Sequence, residues 1–182
     1  MRAWLRTVGF LVVVGATLAL PREQRAQAAP SLSERRVNPD HTLAIVVNRK
    51  NPIDNLSFNE LRKIFLGERN HWSNGHRIAI AMLDYGPERR TVLRLIYRMD
   101  EASYQDALLR GMFRGDVFVA PKTLASPTIL RKFVFNAPGA IGYLRLRDVN
   151  ETVKVVRIDG LSPEDKGYRL QIDEPLDTKG SE

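Results

Sequence analysis

Hydrophobic and polar positions along the chain switch repeatedly between strand-like and helix-like spacing. Leu43 to Val47 (LAIVV) is an unbroken aliphatic run closed by Asn48. A run without polar alternation predicts a strand covered on both faces. Pro52 and Asn55 break the next stretch into a turn-rich connection. Ser57 stands three residues before Glu60, the spacing of a capping box in which each residue satisfies a free amide at a helix start. Phe58, Leu61, Ile64 and Phe65 then fall on one helical face and Glu60, Arg62 and Lys63 on the other, with Gly67 placed to end the helix.

The same logic predicts the later elements. Arg77 to Leu83 (RIAIAML) reads as a strand, and Asp84-Tyr85-Gly86 turns the chain. Pro87 suits the first position of a helix whose apolar face is Val92, Leu93, Leu95, Ile96 and Met99, with Arg89, Arg90, Arg94 and Arg98 mostly outward. Ser103 to Phe113 predicts another helix, with Ser103 and Asp106 at capping-box spacing. Ser126-Pro127 is an N-cap followed by a first-turn proline, opening a helix that buries Ile129, Leu130, Phe133 and Val134. Ala140 to Leu144 and Val153 to Ile158 read as strands, and Tyr168 to Ile172 as a last one. Gly139 and Gly142 permit close backbone approach. Strands alternating with helices predict an α/β fold with at least part of the sheet parallel. No internal repeat or low-complexity segment is visible.

The order of an apolar strand, Asn48, Asn51-Pro52, Leu56-Ser57, Glu60-Leu61, Ile64-Phe65-Leu66-Gly67 and Trp72 resembles the phosphate ABC-transporter substrate-binding family. Pro138-Gly139-Ala140-Ile141-Gly142-Tyr143 resembles a strand motif of that family, and Asp159-Gly160-Leu161-Ser162-Pro163 with Tyr168 to Leu170 its closing segment. The resemblance runs from Leu43 to Leu170. It implies a three-layer sandwich, a mixed sheet flanked by helices, like one lobe of a type II periplasmic binding protein. The family's first lobe, with its early phosphate loop, has no counterpart before Leu43. The matched stretch therefore implies a short, single-lobe relative.

The N-terminus reads as an address. Arg2 and Arg6 precede an apolar core, Val8 to Leu20, and Ala26-Gln27-Ala28 is an A-x-A cleavage pattern, so residues 1–28 are expected to be a signal peptide cut after Ala28. An uncleaved N-terminal anchor is the competing reading. The apolar run is short for a membrane span, and no stable span is expected in the mature chain. Residues 29–42 are polar and read as a flexible leader, 43–172 as the binding-protein-like domain and 173–182 as a polar tail. Cleavage would remove four Arg and one Glu, lowering the formal charge from +7 to +4. That charge is spread over interleaved acids and bases, so it suits a soluble periplasmic protein and gives no nucleic-acid stripe. The chain has no cysteine, which excludes disulfides and thiolate metal sites.

Candidate chemistry is sparse. No GxSxG, HExxH or P-loop pattern occurs, so no catalytic residue is assigned and no enzyme is expected. His71 and His76 lack an acidic partner at ligand spacing, so no metal and no cofactor is expected. Trp72 reads first as cover for the core edge and second as a stacking ring. In the resembled family, the turn between the second strand and its helix carries a Ser-Gly-Thr-like run that holds an oxyanion with backbone amides and hydroxyls. Here that turn reads Gly86-Pro87-Glu88-Arg89-Arg90: proline removes one donor, and Glu88 adds a carboxylate. The resemblance implies that Gly86, Arg89, Arg90, Ser126 and Thr128 ring the half-cleft, with helix capping as the plainer reading of Ser126. Two functions follow as expectations. One is a solute-binding-like protein recognising phosphate or another small oxyanion, with an ABC-transporter permease or envelope protein as partner. The other is an envelope interaction or scaffold module that keeps the lobe fold without a ligand.

Overall fold

The structure, a computed structural model, describes residues 37–114 and 120–172. The expected signal peptide, the leader up to residue 36, residues 115–119 and the tail 173–182 lie outside the described residues. The described residues form strands β1 (Leu43–Asn48), β2 (Asn55–Leu56), β3 (Ala79–Leu83), β4 (Lys122–Leu124), β5 (Ala140–Arg145) and β6 (Val153–Ile158). Their helices are α1 (Phe58–Phe65), α2 (Pro87–Val92), α3 (Glu101–Arg114) and α4 (Pro127–Asn136). A π-helical segment, Leu93–Tyr97, prolongs α2, and a short 3-10 turn, Leu146–Asp148, follows β5.

All six strands join one mixed sheet in the order β2-β6-β1-β5-β3-β4. β1 runs antiparallel to both neighbours, with Val46 opposite Gly142 on one side and Val155 on the other. Every residue of β1 is buried, as its unbroken aliphatic run requires. β3 lies parallel to both β5 and β4.

Alternation along β5 separates the two helical layers. Gly142 faces α4: a Cβ there would lie 2.9 Å from Leu130 Cδ2 and 3.2 Å from the Ala81 carbonyl. Tyr143, the next residue, points to the other face and accepts the Leu83 amide on its hydroxyl at 3.1 Å. That face is covered by α1, the π segment and α3, where Phe65, Tyr97 and Tyr104 pack edge to face. Tyr97 and Tyr104 direct their hydroxyls at Met82 Sδ. Burial holds the Tyr97 and Tyr143 phenols well above the ordinary tyrosine range, so both remain neutral. Helices on both faces of a mixed sheet make the described residues the three-layer α/β sandwich that the family resemblance implied.

Several local details differ from expectation. Asp100, not Ser103, starts α3, its carboxylate accepting the Ser103 amide at 2.8 Å. Arg89 is buried rather than outward, and Ile129 is exposed rather than buried. Tyr168 to Ile172 is no strand, meeting the body through a single bridge, Thr42 to Gln171, and through amide bonds to Leu43 and His41. The end of the presumed leader is also tied down: Thr42 is fully buried, and the Asp40 carbonyl accepts Arg145 Nη1 at 2.8 Å.

Candidate functional site

Two strand-to-helix turns leave the sheet at one edge. β3 and β4 are parallel neighbours whose last paired residues are Leu83 and Leu124, and the Asp84 amide donates to the Leu124 carbonyl at 3.1 Å. The N-cap of α2, Gly86, therefore lies three residues beyond β3, and that of α4, Ser126, two residues beyond β4. Open α/β sheets place their ligand crevices at the carboxyl ends of parallel strands. The exposed Tyr85 lies on the same turn as Gly86.

Gly86 has a φ of 102°, a backbone that side-chain-bearing residues rarely adopt. A Cβ there would also come within 2.9 Å of Glu88 Oε2. The Glu88 carboxylate thus folds back over the turn while its other oxygen accepts Arg145 Nε in a buried ion pair. Sequence reasoning missed this partner, because β5 supplies it from 57 residues away. No side chain caps α2, and Pro87 offers no amide.

Arg89, one position on, faces inward. Its Nε and Nη2 donate to the two oxygens of Glu101 at 2.9 and 2.8 Å, its Nη1 donates to the Leu83 carbonyl at 2.9 Å, and its guanidinium lies over the Tyr104 ring. This arrangement fastens α2 to α3 and β3. The hydrogen bond from Arg89 holds the Glu101 carboxyl below the usual glutamate range. Arg90 is exposed and lines a cavity of about 670 Å³ with Arg94 and Arg98, a group without Gly86, Ser126 or Thr128. Ser126 accepts the Ile129 amide at 3.3 Å as the N-cap of α4, leaving its hydroxyl proton to donate elsewhere. Thr128 is exposed on the first turn of the same helix. The fold thus brings Gly86, Ser126 and Thr128 to one edge and turns Arg89 away from it.

Trp72 is buried and donates its indole N–H to the Gly139 carbonyl at 2.9 Å, which makes it part of the core. Among the described residues, no group of three or more His, Asp or Glu side chains could hold a metal, and no helix is long and apolar enough to cross a membrane.

A mixed sheet with two helical layers and paired turns at one edge defines the class: an α/β sandwich resembling one lobe of a type II periplasmic binding protein. Solved structures share this fold. An ABC-type phosphate transport receptor from Vibrio cholerae superposes with a TM-score of 0.55 at 22% identity, over 68% of this chain and 48% of its own. PstS from Borrelia burgdorferi does so with a TM-score of 0.56 at 13% identity, over 73% and 55%. In sequence, the phosphate-binding protein PstS of Bacillus subtilis is 27% identical over 133 residues, covering 70% of this chain and 41% of that protein. The chain thus spans about half the length of the relatives it matches. No protein-family model matches it. In sequence and fold it resembles the phosphate ABC-transporter substrate-binding family, as a relative of one lobe's extent.

Proposed function

We propose that this chain is a non-catalytic, solute-binding-like protein that recognises phosphate or another small oxyanion at the edge where β3 and β4 end. On this reading it is exported by its N-terminal segment and works in the periplasm beside an ABC importer. The single observation that carries the reading is where those two strands end. In a chain that resembles phosphate-binding proteins, the turns into α2 and α4 meet at one edge. Backbone amides at a helix start favour an anion, and the partial positive charge of the helix end adds to them. Ser126 and Thr128 supply hydroxyl donors, Gly86 keeps the opposite turn free of a side chain, and Arg90 is the arginine of the pair not turned inward. Arg89 supports the turn from behind.

One observation favours the second reading, an interaction module without a ligand. The Glu88 carboxylate lies against Gly86, where it repels an oxyanion, and the exposed Tyr85 and Ile129 flank the same edge. Calorimetric titration with phosphate at low ionic strength, with sulfate as control, decides between them. Saturable heat with phosphate supports oxyanion recognition, and a further loss of affinity in Thr128→Ala places it at this edge. Silence with both anions sinks the binding reading and directs the search to protein partners.

A further inference from the structure

The outer face of α2 and its π-helical continuation forms one wall of a cavity that the oxyanion reading does not use. Arg90, Arg94 and Arg98 line it, Leu93 and Met99 contribute apolar surface, and Ser103 stands at the start of α3. Its volume is about 670 Å³, inside the usual range for small-molecule sites and far larger than an inorganic oxyanion needs.

Two acids, Asp100 and Glu101, also reach the cavity, but both are engaged elsewhere. Glu101 receives Arg89 on both oxygens and Gln105 on one, while Asp100 accepts the Ser103 amide. Arg90 and Arg98 enter no ion pair among the described residues. The wall therefore presents positive charge beside an apolar floor.

The backbone is irregular at the same place. Leu93 to Tyr97 is π-helical, a rare form that occurs mostly as single turns within α-helices and frequently at functional sites. Arg98 closes the segment in the left-handed region with φ 59°, its amide donating to the Leu93 carbonyl. A side-chain-bearing residue in this region is uncommon, and strain of this kind persists where the surrounding structure fixes it. Here it holds an arginine at the cavity rim.

We infer that this cavity binds an organic anion, with a phosphate or carboxylate head on Arg98 and Arg90 and an apolar body against Leu93 and Met99. The inference stands apart from oxyanion recognition at the β3–β4 edge, with which the cavity shares Arg90 but neither Arg98 nor its apolar wall.

Fluorescence titration of the full chain with 1-naphthyl phosphate tests it, with 1-naphthol and inorganic phosphate as the two half-ligands. Saturable binding of naphthyl phosphate is expected, at least tenfold tighter than either half. Arg98→Gly should weaken it about tenfold while preserving the fold, since glycine adopts the left-handed conformation readily. Met99→Ala should weaken it less, through lost apolar contact. Unchanged inorganic phosphate titration in Arg98→Gly separates this cavity from the strand edge. No saturation with naphthyl phosphate, naphthol binding as tightly, or wild-type affinity in a folded Arg98→Gly protein would each overturn the assignment.

Discussion

Arg89 and Arg90 are adjacent in sequence and opposite in circumstance, so they offer a sharp contrast at the scale of single residues. Arg89 is 4% exposed and ties three elements together, whereas Arg90 is exposed and has no such ties. Arg89→Met should cost about 2–3 kcal/mol of stability, below the usual cost of breaking a buried ion pair because Glu101 is half exposed. Arg90→Ala should change stability by less than about 0.5 kcal/mol. Urea denaturation of the two variants measures both. The pair also sets a pH dependence. Glu101 has its folded pKa lowered, chiefly by the hydrogen bond from Arg89, so the folded state takes up that proton less readily than the unfolded chain. Its contribution is complete above the unfolded glutamate range and is lost as pH falls through the lowered folded value. Arg89→Met should flatten that acid limb in a plot of stability against pH. An acid limb as steep as that of the unaltered protein would refute the linkage.

Elements were legible where local sequence decides them. The box at Ser57 and Glu60 forms as its spacing demands, with both reciprocal bonds present, and Ser126 caps α4. Ser57→Ala should therefore cost about 1 kcal/mol in thermal or urea unfolding. Other features depend on partners distant in the chain and left no local trace. β2 is a two-residue strand recruited by β6, and β4 is a three-residue strand recruited by β3; neither carries enough periodicity to announce itself. The helical pattern places Arg89 outward because a charged residue on a helix usually is, yet Glu101 from α3 overrides that preference. The spacing of Arg90, Arg94 and Arg98 was a visible signal, one every four residues, but only the packing of α3 turns that face into a cavity wall. Gly139 shows the opposite case, a residue type readable in advance for a reason only the fold supplies. A Cβ there would lie 2.0 Å from the Arg77 carbonyl, and the Gly139 carbonyl accepts Trp72 Nε1. Gly139→Ala should displace that backbone contact and destabilise the protein by at least about 2 kcal/mol, with a red shift of Trp72 fluorescence as the indole loses its buried bond.

For the molecule as a whole, the decisive feature is that one sheet edge offers helix starts and hydroxyls while the Glu88 carboxylate, folded over the turn, opposes their use. Glu88 is buried, bound to Arg145 and folded over Gly86. An anion at this edge would lie beside the exposed Tyr85 and Thr128, within reach of solvent. Its affinity would then depend strongly on ionic strength, since charges near water are screened within about 10 Å at 0.1 M salt. Glu88→Gln keeps the shape of the side chain and removes the negative charge that lies against Gly86 at the turn. That change should raise phosphate affinity about tenfold, equivalent to ~1.4 kcal/mol, while lowering stability because a buried ion pair is broken. The two effects separate experimentally: calorimetric titration reads the affinity, and thermal unfolding without phosphate reads the cost. If phosphate then raises the melting temperature of Glu88→Gln more than that of the unaltered protein, the edge is an oxyanion site held in check by its own carboxylate. If the variant is folded, less stable and still indifferent to phosphate, Glu88 serves only to hold Arg145, and the lobe's partners must be sought among proteins.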